Sequence, residues 1–197
     1  MSPITRLADR RARCGDERGF TLVDLLVTMA ITAALLSLGA SAVRHFWLVR
    51  TLEGAADDVR SGMRALHEQA TSESHPLVYG ARFRVGSNEW YLFQYNPNAA
   101  TASGWSCTDR TPREGTFQFD GGVRLTAASF TLDAAGATIR TRCASALPGA
   151  AASDHYALFY ARGDATPGSV TVTQPALAGR TRTVEVLGLT GRVEERT

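Results

Sequence analysis

The feature that most constrains this chain is an apolar segment close to its N-terminus. Residues 20–43 read FTLVDLLVTMAITAALLSLGASAV and contain one charged residue, Asp24. At about 1.5 Å per residue, a helix of this length crosses roughly 30 Å of hydrocarbon. The segment is therefore a candidate membrane-spanning helix, and a chain with one such segment is not a polytopic membrane protein.

The residues before the apolar segment have the composition of a cytoplasmic leader. Residues 1–19 contain five arginines and three acids. Basic residues beside a span stay on the cytoplasmic side of the membrane. No A-x-A-like cleavage site follows Val43, so we expect the segment to be retained and not removed as a secretory signal. The predicted topology is a single span in the cytoplasmic (inner) membrane, with the C-terminal part outside the cytoplasm.

A short motif joins the leader to the apolar segment. Residues 19–26 read GFTLVDLL, which resembles the processing site of type IV prepilins and type II secretion pseudopilins. The resemblance implies cleavage after Gly19 by a prepilin peptidase and N-methylation of the new terminal residue, Phe20. It also implies that the acid at the fifth mature position, here Asp24 where the family usually has glutamate, aligns subunits. The alternative is an ordinary single-pass anchor.

Asp24 is the residue of this segment for which we expect a partner. A charge inside hydrocarbon is costly, and a buried charge left alone costs several kcal/mol. The N-terminal ammonium of a neighbouring subunit in a filament is a suitable partner. The aspartate side chain is one methylene shorter than glutamate, so the geometry of this contact differs from that in the family.

The helix is predicted to continue beyond the membrane. Apolar residues recur every three or four positions from Val49 to Ala70, and charged residues occupy the other faces. This pattern predicts a helix to about residue 73, so that 44–75 is an amphipathic continuation of the segment 20–43.

After the helix, the sequence pattern becomes that of strands. From Leu77 apolar residues alternate, a Gly-Ser-Asn turn follows at 86–88, and WYLFQY at 90–95 completes a predicted hairpin. A loop is expected from 96 to 115. Further short strands are predicted near 116–119, 123–131, 137–143, 156–161, 169–173 and 181–187. The expected fold class is α+β, with a long N-terminal helix packed on a mostly antiparallel sheet domain, residues 76–197.

The C-terminal strands strengthen the resemblance to pilins. Residues 155–193 resemble the end of GspH/FimT-type minor pilins, in which short strands and a glycine turn lead to a Gly-Arg motif. The resemblance implies the pilin architecture and an extracytoplasmic GspH/FimT-like domain at 76–197, after the leader 1–19.

FimT-like members of this family bind DNA through a C-terminal Gly-Arg-x-Arg motif. Residues 179–182 spell it as GRTR, with Arg180 and Arg182 as candidate DNA-binding residues. Arg192 has the expected terminal position, but Glu194 stands where the second arginine belongs. Glu194 and Glu195, which follow Arg192 closely, repel phosphate. The alternative is that these arginines are solvated residues at strand ends.

The cysteines suggest one disulfide. The chain has three cysteines, and removing the leader removes Cys14, which leaves the pair Cys107 and Cys143. An even pair suits an oxidising compartment. The alternative is two unpaired buried thiols.

The sequence gives little support to an enzyme. His67-Glu68 begins like a zinc-protease helix, but Thr71 occupies the place of the second histidine. No nucleotide-binding glycine loop is present in the sequence. We therefore expect no catalytic residues, no metal and no cofactor.

The sequence favours the first of three functions and leaves the other two as alternatives. The first is a minor pilin of a type IV pilus, processed by prepilin peptidase and incorporated into the filament or priming its assembly. The second is a GspH-like minor pseudopilin of a type II secretion system. The third is a FimT-like DNA-binding minor pilin for natural transformation. The implied partners are other pilin or pseudopilin subunits, prepilin peptidase, the inner-membrane assembly platform and, for the third function, DNA.

The first testable prediction concerns processing. We expect the mature chain to begin at Phe20 with a methylated amine, because the motif places the cut between the charged leader and the apolar segment. Intact mass of protein extracted from membranes checks this. Retention of residues 1–19 in cells with active prepilin peptidase contradicts it.

Overall fold

The computed structural model describes residues 21–73, 76–98, 106–109, 117–147, 149–151 and 153–196. Gly19, Phe20 and Cys14 lie outside the described residues, as does much of the loop predicted at 96–115. The chain divides into two compact units, residues 1–42 and residues 43–197.

The first helix, α1, covers Leu22–Ser72 and belongs to both units. Its most apolar window of 18 residues has a mean hydropathy of 2.0 and no buried residue. By length and composition α1 can cross a membrane. This observation agrees with the predicted span at 20–43, whose boundaries stay a prediction.

In the second unit α1 presents an apolar stripe to a core. The stripe recurs every three or four positions, as the sequence pattern predicts for one face of a helix. Its buried members are Leu52, Ala55, Ala56, Val59, Met63, Leu66 and Ala70. The helix ends at Ser72, close to the predicted residue 73, and the chain continues into strands.

The other elements of the second unit are nine strands and one helix among the described residues. They are β1 (Val78–Phe83), β2 (Glu89–Asn96), β3 (Ser106–Asp109), β4 (Phe117–Gln118), β5 (Arg124–Phe130), α2 (Ala134–Ala146), β6 (His155–Tyr160), β7 (Gly168–Thr173), β8 (Thr181–Val186) and β9 (Val193–Arg196). A single 3-10 turn, Asp120–Gly122, precedes β5.

The strands form two antiparallel sheets. The first has the order β3-β2-β1-β6, and β4 also pairs with β2. The second has the order β5-β7-β8-β9. These sheets, after a long helix, confirm the predicted α+β class.

Strand β1 lies at the centre of the first sheet and is buried on both faces. All six of its residues are buried. Tyr79, Ala81 and Phe83 join the core cluster that contains the α1 stripe. On the other face, Val78 belongs to a second cluster with Ile139 and Cys143 of α2. The first sheet is therefore covered by one helix on each face.

The second sheet packs against the same helix. Its buried residues belong to the α1 cluster and are Leu125, Ala128, Val170, Val172, Val184, Val186 and Val193. Both sheets therefore pack against the apolar stripe of α1.

The strand predicted at 137–143 is wrong, because α2 occupies Ala134–Ala146. The side chain of Asp133 accepts a hydrogen bond from the backbone N–H of Gly136 at 2.7 Å, which caps the helix. Ile139 and Cys143, four residues apart, share the buried face. Ile139 and Cys143 are the larger apolar residues among small and polar ones, and their spacing fits both the period of a helix and that of a strand. The hydrogen-bonded cap at Asp133 favours the helix.

Two strands occur where none was predicted. Strand β3 lies inside the expected loop 96–115, and β9 follows Arg192. Each is four residues long. Four residues are too few to show the alternation of apolar and polar residues by which a strand is predicted.

A glycine pair in α1 gives a stability prediction. A Cβ at Gly62 would stand 2.3 Å from Cη2 of Trp90, whose ring is stacked between Phe83 and Phe117 at centroid distances of 5.8 and 4.6 Å. We expect Gly62→Ala to destabilise the fold by about 1–3 kcal/mol through overpacking.

Gly54→Ala is the matched control, because a Cβ there meets no atom within 4 Å. We expect it to stabilise α1 by up to about 1 kcal/mol. Thermal unfolding in mild detergent, followed by circular dichroism, measures both variants. Equal stability of the two would contradict the packing described.

Candidate functional site

Asp24 lies in the first turn of α1, where the chain forms a reciprocal cap with Thr21. The Thr21 backbone N–H and hydroxyl donate to Asp24 Oδ2 at 3.2 and 2.8 Å. In return, the Asp24 backbone N–H donates to the Thr21 hydroxyl oxygen at 3.2 Å. This is a capping box, and the negative charge also interacts favourably with the N-terminal end of the helix dipole.

Thr21 is a site residue that the sequence reasoning missed. A threonine followed three residues later by an acid, just before an apolar run, is a recognised signature of a helix N-terminus. The donors that Thr21 offers are neutral, so they give the carboxylate hydrogen bonds but no opposite charge.

The predicted disulfide is confirmed. Cys107 of β3 and Cys143 of α2 are bonded, with their Cα atoms 5.4 Å apart. The bond connects the edge of the first sheet to the helix that covers one of its faces. It compensates for the small apolar contribution of α2, whose buried residues are Gly136, Ile139 and Cys143.

Polar contacts assist the disulfide in holding α2. The Arg142 guanidinium donates to the Tyr95 hydroxyl at 2.8 Å. The Tyr160 hydroxyl donates to Asp133 Oδ1 at 3.4 Å. Burial, followed by the charge of Asp133, raises the pKa of Tyr160 to about 12. The phenol is therefore neutral and remains a donor across the ordinary pH range.

The structure assigns Arg182 to an ion-pair network. Its guanidinium lies 3.1 Å from a Glu53 carboxylate oxygen and 3.7 Å from one of Glu195. The side chains of all three are partly buried, with exposed fractions between 22% and 35%. Arg182, on β8, thereby contacts Glu53 of α1 and Glu195 of β9.

Arg182 and Arg192 line the same groove between α1 and the C-terminal strands. The groove residues are Arg50, Glu53, Gly54, Asp57, Arg60, Arg64, Arg182, Arg192, Glu194 and Glu195. Arg192 pairs with Glu194 at 2.8 Å, while its side chain stays 70% exposed. Interleaved acids reduce the attraction of this groove for phosphate.

Arg180 is exposed in the turn before β8, beside Val49 and Leu52 of α1. Arg182 lines a second groove there together with Arg180 and the first groove together with Arg192, so neither groove contains all three arginines. DNA binding stays a prediction.

Three further arginines make contacts that no sequence pattern predicted. Arg82 is buried in β1, with its Nε 3.6 Å from Asp154, and Arg84 approaches the same carboxylate at 2.9 Å. The Asp154 hydrogen bond is the main cause that raises the pKa of Arg84. Arg64, on α1, donates to the backbone oxygen of Val193 at 3.1 Å. These contacts fix loops and strand ends.

The acids of α1 influence one another. Burial, then the charges of Asp57 and Asp120, raises the pKa of Asp58. Among the residues that the structure describes, no group of three or more His, Cys, Asp or Glu side chains is placed to hold a metal ion.

The fold is similar to that of solved minor pseudopilins. One structure of the minor pseudopilin EpsH from the type II secretion system of Vibrio cholerae aligns with a TM-score of 0.50 and 13% identity, over 75% of this chain and 97% of that chain. A second structure of the same protein gives 0.48 and 14%, over 74% and 96%. At this identity the likeness concerns the fold alone, and it confirms the resemblance to the GspH-like pilin fold. No family model and no curated protein matches the chain.

The disulfide gives a prediction about the stability of the fold. In the chain-entropy model, cross-linking across the 36-residue separation stabilises the fold by roughly 4 kcal/mol. We expect Cys107→Ser with Cys143→Ser to lower the unfolding midpoint in urea accordingly. Both variants are made in the unprocessed chain, where Cys14→Ser is the control and should change nothing. Unchanged stability of the double variant would contradict a structural role for the bond.

Proposed function

We propose that the chain is a minor subunit of a pilin-type filament. Prepilin peptidase cuts after Gly19, the apolar part of α1 holds the subunit in the inner membrane, and Asp24 aligns it with a neighbour during assembly. The soluble residues after the membrane form the surface of the filament or of its initiating complex.

One observation carries this proposal: the first part of α1 exposes apolar side chains that water does not tolerate as a large patch. These exposed residues include Leu22, Val23, Leu25, Leu26, Val27, Met29, Ile31, Leu35, Leu36, Leu38 and Val43. Lipid or other apolar helices must cover them. In a filament, the helices of neighbouring subunits do so after the subunit leaves the bilayer.

Asp24 is the exception in this surface, and its charge supports an assembly role. An aspartate costs about 3 kcal/mol at the centre of a span on insertion scales, and Asp24, in the first turn, bears a part of this cost. Thr21 solvates the carboxylate but supplies no positive charge. The methylated N-terminal ammonium of a neighbour, placed beside Asp24, supplies it. A subunit in the wrong register leaves both charges unpaired.

Among pilin-type machines, a type II secretion pseudopilus is our first choice. The fold shared with a minor pseudopilin at a TM-score of 0.50 favours it. The type IV pilus, favoured by the sequence motif equally, is the alternative. We propose a structural role without catalysis, and with other pilin-like subunits and the assembly platform as partners.

Photo-cross-linking in cells tests the assembly role. A photoreactive residue at Leu36, which is 68% exposed on α1, should form adducts with other pilin-like subunits. We expect Asp24→Ala to lose these adducts, because the ammonium of the neighbour then has no partner. Asp24→Glu should keep them, because it restores the carboxylate.

The amount of each variant in the membrane fraction is the control, since insertion itself does not require Asp24. The identity of the adducts decides between pseudopilins and type IV pilins. Undiminished adducts in Asp24→Ala would contradict the assembly role of Asp24.

A further inference from the structure

Arg180 lies where the second unit begins on α1. It lines a groove with Val49, Leu52 and Glu53 of α1, all within ten residues of Val43. The turn that precedes β8 therefore approaches the part of α1 that follows the apolar segment. At about 1.5 Å per residue, Val49 stands roughly 9 Å along the helix from Val43.

The same part of α1 carries a stripe of exposed aromatic and basic residues. Val43, Phe46, Trp47 and Arg50 are spaced by three or four positions, so they share one face of the helix. Phe46 is 54% exposed and Trp47 is 63% exposed. The Arg50 guanidinium lies 5.4 Å from the centroid of the Phe46 ring, which in turn contacts Trp47 edge to face.

This stripe has the chemistry of a membrane interface. Tryptophan and other aromatic residues collect at the boundary between hydrocarbon and headgroups, and arginine extends its charge from there towards water. The headgroup layer is about 5–8 Å thick on each side of the hydrocarbon. Residues one or two turns beyond the apolar segment fall within or beside it.

Exposed basic residues lie at this end of the second unit. Arg44, Arg50 and Arg180 are exposed. Arg50 and Arg182 contact Glu53, and Arg182 also contacts Glu195. Asp120, exposed in the 3-10 turn, is a further acid at this end.

We propose that Arg44 and Arg180 bind the phosphate groups of anionic lipids, at a surface where Phe46 and Trp47 insert and Arg50 lies over the Phe46 ring. These five residues form a membrane-facing rim. The proposal rests on the membrane anchor of the proposed function. It assigns Arg180 to lipid phosphate and not to the phosphate of DNA, because Arg180 approaches Val49, which is within three residues of the exposed Phe46 and Trp47 on α1.

Native mass spectrometry of the full chain tests the rim. The protein is reconstituted in vesicles of equal parts phosphatidylethanolamine and phosphatidylglycerol, extracted with mild detergent and analysed for retained phosphatidylglycerol. We expect Arg180→Gln to retain about fivefold less than the wild type, the factor that one arginine contributes near an anionic surface. Arg44→Gln should behave in the same way.

Arg162→Gln is the matched control. Arg162 is 80% exposed and lies next to Gly163, whose nearest neighbour is Thr71 at the other end of α1. We expect this variant to retain as much phosphatidylglycerol as the wild type. Equal retention by Arg180→Gln and Arg162→Gln, or no retention by the wild type, overturns the proposal.

Fluorescence quenching gives an independent readout of the aromatic residues. Lipids with brominated acyl chains should quench part of the tryptophan emission, and Trp47→Phe should remove that part. The two remaining tryptophans provide the background. Equal quenching in the wild type and Trp47→Phe also overturns the proposal.

Duplex DNA provides the competing outcome. Added DNA that displaces phosphatidylglycerol, with loss of DNA binding in Arg180→Gln, would assign the arginine to nucleic acid and overturn the lipid assignment. The test is separate from that of the proposed function. A failed assembly role appears as adducts that persist in Asp24→Ala, whatever the lipid retention.

Discussion

The fold of the second unit depends on one helical stripe that two sheets use at once. Tyr79 and Phe83 of the first sheet and Val184 and Val193 of the second belong to the same buried cluster as the α1 residues. Each sheet has an apolar face that is unstable in water without a partner. Removing the helix would expose both, so the residues of α1 that follow the apolar segment organise the core that the two sheets share.

The same dependence explains why the arginines near the C-terminus are less available to bind DNA than the Gly-Arg-x-Arg motif indicates. Strands β8 and β9 must stay close to α1 for the second sheet to keep its cover. Arg182, through Glu53 and Glu195, and Arg64, through the Val193 carbonyl, hold them there. Arg180, Arg192 and Arg196 remain largely exposed, and of these Arg192 is paired with Glu194 and Arg196 with Glu185. Charge that stabilises the fold is not free to attract phosphate.

Much of the fold and part of the site could be predicted from the sequence. The α1 stripe and the β1–β2 hairpin are long and strongly periodic, and the cysteine pair was recognisable once the leader was set aside. Helix α2 was not, because its one large apolar residue, Ile139, defines no period and the Asp133 cap decides the structure. The partners of Arg182 and Arg84 lie far apart in sequence. No local pattern reveals contacts that only the folded topology creates.

Mass spectrometry of pilus or pseudopilus filaments, isolated from cells through their major subunit, tests the central claim most directly. The account predicts peptides of residues 44–197 in the filament fraction at low abundance beside a major subunit, and an N-terminal peptide that begins with methylated Phe20. Presence of the chain only in the inner membrane, while the cells assemble filaments from other subunits, would contradict the claim that it is a filament subunit.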